Sequence, residues 1–230
     1  MPASFTRPTC VEAWRDVANH LLANGPNDSN IIVTITEPAQ FDQAWLGRFD
    51  PRVEKPDGDW IRDVINTVFP QKTLQNSVNR HAFYQRYERA HGRSRNKRWG
   101  TYFSRLIAFG IQKENQLENV IRALNTWKNN PQAALTIHLS SPETDSLRPL
   151  GAPCWHYGEF LCPDRETIEL VVVYRNHDYF NKALGNFIGL SRLLNFVCHE
   201  TNRNPGKLVC HSVRAYYDAN KSQLQRLVDK

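Results

Sequence analysis

Cys154 closes the turn Gly151-Ala152-Pro153-Cys154, and its thiol is a strong nucleophile whenever it is deprotonated. A neighbouring cation would have to draw the proton off near neutral pH; with no such neighbour, the residue is an inert buried cysteine. Further along, Glu169-Leu170-Val171-Val172-Val173-Tyr174 ends in Arg175. A guanidinium following so apolar a run is costly to bury unpaired, so Arg175 needs an anion. A phosphate suits its planar fork, and the carboxylate of Asp178 would satisfy it too. Asn186 offers both a donor and an acceptor, as reading a flat polar edge requires, but an Asn opening an apolar helix serves equally as an N-cap. Asp178 could touch a ligand or brace the local backbone. His156 and His177 stand close to these residues in sequence and are of the type that exchanges protons near neutral pH.

Taken in order, these residues resemble the thymidylate synthase family. Its nucleophile lies in a Pro-Cys turn, and its strand carries a Gln-Arg-Ser motif with a nearby Asp, followed by Gly-x-Pro-Phe-Asn. Without a gap, Arg175, Asp178 and Asn186 fall on the family's phosphate Arg, its Asp and its pyrimidine-reading Asn. The resemblance runs well over residues 95–225 and faintly over 11–35. It implies an α/β (α+β) fold, a thymidylate synthase-like three-layer sandwich with a mixed sheet, and a homodimer. It also implies a reaction: the Cys154 thiolate, its pKa lowered by Arg175, adds to C6 of a pyrimidine nucleotide monophosphate and makes C5 an enolate-like carbon that accepts a one-carbon unit. Asn186 would then face O4 and N3 of a uridylate-type base, where an Asp would suit the amino group of cytosine. Methylenetetrahydrofolate is the implied carrier. Asp63 is the acid nearest to the family's helical Glu, Trp99-Gly100 stands where the family has Tyr-Gly, and Tyr216 takes the place of a His that holds the sugar.

Several positions depart from the pattern. The loop Pro26 to Asn30 has no phosphate-binding Arg, and two arginines that reach across the family dimer are here Ala134 and Leu135. Arg214, Tyr216 and Asp218 replace the family's Gly-Asp-x-His-x-Tyr pattern. The sequence stops at Lys230, where family members run on into a segment that folds over folate, so weak folate binding and slow transfer are expected. Two functions therefore compete: a C5 methyl- or hydroxymethyltransferase, and a catalytically altered nucleotide-binding relative with a regulatory, partner-binding or different nucleotide-processing role.

Periodicity supplies the elements that must position these residues. Val11, Trp14, Val17, Ala18, Leu21 and Leu22 predict a helix stopped by Gly25, and Ile31 to Ile35 a strand. Pro38 to Asp59 reads as loop, and Trp60 to Phe69 as a helix ended by Pro70. The resemblance, carried here by Gln116-Leu117, Val120-Ile121, Leu124 and Asn130-Pro131, implies a helix over 115–128 and a strand at Leu135 to Leu139, and the residues themselves predict strands at Phe160 to Cys162 and Glu169 to Tyr174. A covering helix follows from Asn186 to Glu200, and a Pro205-Gly206 turn leads into a last strand, Lys207 to Ser212.

The 230 residues are enough for one core, read as a single domain over 1–230, with no repeat or low-complexity tract. A formal charge of +6, from 29 Lys and Arg against 23 Asp and Glu, suits an anionic ligand and equally a nucleic-acid surface. Basic residues are densest from Arg80 to Arg98, which reads as a solvated helix and loop or, as a third possibility, a polynucleotide surface. The five cysteines show no CxxC or zinc spacing, so neither a metal nor a disulfide framework is expected. With no apolar run of membrane length and no signal-peptide pattern, a cytoplasmic setting is the expectation.

Overall fold

The computed structural model describes residues 2–40, 60–91, 99–127, 135–145 and 151–229. A short strand β1 (Ser4–Arg7) leads into α1 (Cys10–Asn24). Thr9 and Glu12 cap that helix reciprocally: the Thr9 hydroxyl accepts from the Glu12 amide, and the Glu12 carboxylate accepts from the Thr9 amide. The predicted stripe from Val11 to Leu22 is buried, and Gly25, at φ 130°, ends the helix in a conformation open to glycine.

The strand that follows, β2 (Asn27–Ile35), is longer than its apolar run. Asn27, Asp28 and Ser29, expected in a loop, pair instead with Tyr216, Ala215 and Arg214, because a long partner strand supplies their backbone hydrogen bonds. That partner, β7 (Asn204–Tyr216), runs through the middle of a mixed sheet of β1, β2, β3 (Thr136–His138), β4 (Trp155–Leu161), β5 (Thr167–Tyr174) and β6 (His177–Asp178). The order is β1-β2-β7-β5-β4-β3, with β6 pairing β7 beyond the end of β5. Pro205-Gly206 is not the turn expected. Both lie inside β7 opposite a register shift in β5, and the chain reverses earlier, at left-handed Asn202 (φ 53°).

Cross-strand rows give the sheet two unlike faces. Ile31, Ser212, Tyr174 and Trp155 lie side by side and are buried, as are Val33, Cys210, Val172 and Gly158. On the other face Ile32, His211, Val173 and Tyr157 form a row that is only half-buried. The buried face packs against α8 (Ala183–Thr201), which is apolar almost all round. A second helix, α2 (Trp60–Val68), lies against α8, and two glycines one turn apart permit the approach. A Cβ on Gly185 would come within 2.7 Å of the Val64 side chain, and one on Gly189 within 2.6 Å of Val68 Cβ.

The basic stretch is structured in its first half. After α3 (Gln71–Gln75) comes α4 (Arg80–His91), which buries Phe83, Tyr84 and Tyr87. Arg80 forks onto Glu118 at 2.8 and 2.9 Å and reaches Glu200 at 3.1 Å, so its charge is spent on tying helices together. Arg86 and Arg89 are exposed, and 92–98 lie outside the described residues. The remaining helices are α5 (Tyr102–Ile107), α6 (Gln116–Thr126), α7 (Pro142–Asp145) and α9 (Lys221–Val228). Most of the expected Pro38 to Asp59 loop (41–59), Asn130-Pro131 and Ala134 are outside the described residues. Among the described residues no helix is long and apolar enough to cross a membrane.

Candidate functional site

Cys154 is held at the mouth of β4 by backbone bonds to two other elements. Its carbonyl accepts from the Arg175 amide at 2.9 Å, at the end of β5. Its amide and that of Trp155 donate to the Tyr102 hydroxyl, at 3.3 and 3.4 Å, from the first turn of α5. The capping pair Thr101 and Ser104 fixes the start of that helix, so the phenol is anchored where it meets the turn. The result is a half-buried thiol facing a cavity of about 520 Å³.

The same cavity is lined by Asp63, Trp99, Asp178, Asn186 and Tyr216, residues separated by up to 153 positions in sequence (216 minus 63). Parallel pairing of His177-Asp178 with Ala215-Tyr216 sets Tyr216 beside Asp178. Asp63 arrives on α2, an exposed residue at the rim, through the close contact at Gly185 and Gly189. Trp99 arrives just ahead of α5, tilted onto Tyr102 with ring centroids 5.0 Å apart. Four further lining residues escaped sequence reading: Tyr102, Thr67, Asn176 and Lys182. Lys182 stands one helical turn before Asn186, a spacing that could have flagged it as a cation near the site.

Arg175 does not line the cavity; it lies behind the Cys154 turn. Its Nη2 donates to the Ala152 carbonyl at 3.4 Å, and its Nε is buried without a hydrogen-bond partner. No ion pair joins it to Asp178 among the described residues. The Asp178 carboxylate is used locally, accepting from the amides of Phe180 (3.0 Å) and Asn181 (3.1 Å) and from Asn181 Nδ2 (2.8 Å), which shapes the entry to α8. Of the two roles open to Asp178, bracing the backbone is therefore filled. Asn186 is not an N-cap. Lys182 holds that position, and Asn186 sits within the first turn, buried and turned to the cavity.

Burial pushes the Cys154 thiol above the ordinary value, with Arg175 the largest opposing influence and Lys182 a smaller one. The expected net lowering by Arg175 is thus corrected: desolvation outweighs the cation. His177 is fully enclosed, and burial lowers its pKa to about 3, so it is a neutral imidazole rather than an acid–base group near neutral pH. Its ring lies 4.2 Å from that of Tyr174 and nearly parallel to it. His156, lowered first by burial and then by Arg175, is not among the cavity's lining residues.

With this geometry in view, three curated archaeal proteins share sequence with the chain. A protein of Methanococcoides burtonii described as "Putative thymidylate synthase" is 27% identical over 117 residues, covering 50% of this chain and 52% of that protein. Proteins with the same description from Methanosarcina barkeri and Methanosarcina mazei are each 26% identical, covering 50% and 56% of this chain and 52% and 57% of theirs. The chain spans about half the length of the curated relatives it matches. No family model matches it. The similarity supports a distant relation to thymidylate-synthase-like sequences.

Proposed function

We propose that this cavity binds a pyrimidine nucleotide monophosphate, with a uridylate-type base, and that the protein is a C5 methyl- or hydroxymethyltransferase working through a Cys154 adduct at C6. The carrying observation is convergence: Cys154, Asp178 and Asn186 line one cavity, and Arg175 is the principal cation acting on the thiol. Arg175 Nε, a buried charged donor without a partner, is the kind of group that an anion completes. Lys182 adds a second positive charge at the wall.

In this reading the Cys154 thiolate adds to C6 and Asn186 holds the O4 and N3 edge as negative charge moves onto the ring. C5 forms its new carbon bond, loses its proton, and the C6–S bond breaks to free the thiolate. Asp63 and Tyr216 border the ring and sugar, and Trp99 the open side. Methylenetetrahydrofolate, when bound, would supply the one-carbon unit at the formaldehyde level; water would then complete a hydroxymethyl product, and hydride from the tetrahydrofolate left behind would complete a methyl product. A second hollow of about 740 Å³ meets the first at Trp99 and Gly100, which supports space for a second flat ring there.

The half-buried row Ile32, Val173 and Tyr157 supports a homodimer formed through that sheet face, which would complete a three-layer arrangement. Light scattering should give twice the chain mass. A cytoplasmic setting, which keeps the cysteines reduced, fits this activity.

The second reading, a nucleotide-binding relative without the transfer reaction, draws on the raised Cys154 thiol and on Leu135, which is buried where the resemblance expects a cross-dimer arginine. Thermal denaturation against a panel of ribo- and deoxyribonucleotide monophosphates tests the shared premise. A uridylate at a hundred times its dissociation constant should stabilise by about 2.7 kcal/mol. No shift with any pyrimidine nucleotide would remove both readings.

A further inference from the structure

His177 is a buried imidazole with a neighbour on each ring nitrogen, and the nature of those neighbours decides where its proton is. Nε2 meets Asn186 Nδ2 at 3.2 Å. An amide nitrogen only donates, so Nε2 must accept and carries no proton. The ring proton is then on Nδ1 and donates to Ser212 Oγ at 2.9 Å, while the Ser212 hydroxyl has Tyr179 OH within 3.4 Å. Stacking on Tyr174 and an edge contact with Phe187, 5.5 Å between centroids, fix the ring plane.

We infer that His177 is a positioning residue that locks the side-chain amide of Asn186 in one orientation, so that the cavity accepts a uracil edge and refuses cytosine. The inference rests on the proposal above that Asn186 faces the base. An unrestrained asparagine amide is ambidextrous: a half-turn exchanges its oxygen and nitrogen. As oriented, Oδ1 can accept from N3–H of uracil while the second N–H of Nδ2 donates to O4. Cytosine presents the reverse order, a bare N3 and an amino group at position 4, and pairs only with the flipped amide. Flipping would set Oδ1 against the unprotonated Nε2, acceptor against acceptor, and could be relieved only by moving the ring proton to Nε2 and turning the Ser212 hydroxyl to donate to Nδ1, so the lock is the His177–Ser212 chain as a whole. Base choice therefore lies in a residue that need not touch the base.

Two measurements test this. The first is a long-range proton–nitrogen correlation spectrum of the full chain with labelled histidine, taken at neutral pH without ligand. It should show a buried imidazole protonated on Nδ1 and bare on Nε2; a proton on Nε2, or an imidazolium, overturns the inference. The second is calorimetry with uridine and cytidine 5′-monophosphates, in ribo and deoxyribo forms, on the parent and on His177→Phe, which keeps the stacking and removes the acceptor. The parent should prefer uridylate by roughly 10- to 100-fold, the cost of leaving one buried polar group unpaired. In the variant the ratio should fall below about threefold, chiefly through tighter cytidylate binding. An undiminished ratio overturns the role of His177 while leaving the uracil assignment standing. A parent that binds both bases equally, or neither, instead refutes the assignment of Asn186 and this inference with it. If the variant does not fold, the parent's spectrum decides.

Discussion

Arg175 reaches the site from behind, with one buried N–H group unpaired and the Cys154 turn between it and the cavity. A nucleotide phosphate would have to shift the Cys154 turn to reach that N–H, and would then gain a charge-assisted bond without displacing a hydrogen-bond partner of Nε. Calorimetry should find that Arg175→Ala weakens nucleoside monophosphate binding by about 10-fold or more while nucleoside binding changes little; equal losses would make the Arg a structural brace of the turn. His177 yields a prediction about acid. Its folded pKa, about 3, lies below its ordinary 6.5, so its contribution to stability is complete above pH 6.5 and is lost as pH falls toward 3. Across that window the parent should lose up to about 1.4 kcal/mol per pH unit more than His177→Phe in urea denaturation. Parallel curves would mean that the ring is not buried neutral. That Cys154, Asp178 and Asn186 would line one cavity was readable from the order of residue types that carries the resemblance; that Arg175 would sit behind the turn was not. The protonation states were not, since they depend on burial and on partners such as Ser212 and Tyr102 that lie far off in sequence.

Helix α2 stands where it does because α8 presents Gly185 and Gly189 to it, and that approach carries Asp63 and Thr67 to the cavity. Gly189→Ala would press a methyl group into Val68 and should cost about 1–3 kcal/mol in chemical denaturation. A change under about 0.5 kcal/mol would show that the helices can part without cost. The spacing of these glycines was visible in the sequence, but which helix they face was not. The same limit applied elsewhere. Apolar periodicity located α1, α2, α8 and β5, whose side chains announce a buried face, while α6 was expected from the resemblance. It missed the polar start of β2 and the reach of β7 through Pro205-Gly206, because those stretches are strands only by virtue of each other. It undervalued α4, where charged residues interleave with Phe83, Tyr84 and Tyr87.

At the scale of the molecule, one buried sheet face carries the helices while the strand ends border the cavity that holds Cys154. The thiol in that cavity is held protonated by burial, and the cations behind it oppose this only in part. An incoming nucleotide phosphate would share Arg175 with the thiol, so the ring, held by Asn186 and flanked by Cys154, must lie close enough for addition when the thiolate forms. The direct test is the fate of the hydrogen on C5, which becomes exchangeable only if a nucleophile has added at C6. With uridine- or deoxyuridine-type 5′-monophosphate tritiated at C5, the parent protein supplied with methylenetetrahydrofolate should release tritium to water, and Cys154→Ser should release none. Equal release from both proteins, or none from a parent that binds the nucleotide, would contradict Cys154 as the nucleophile.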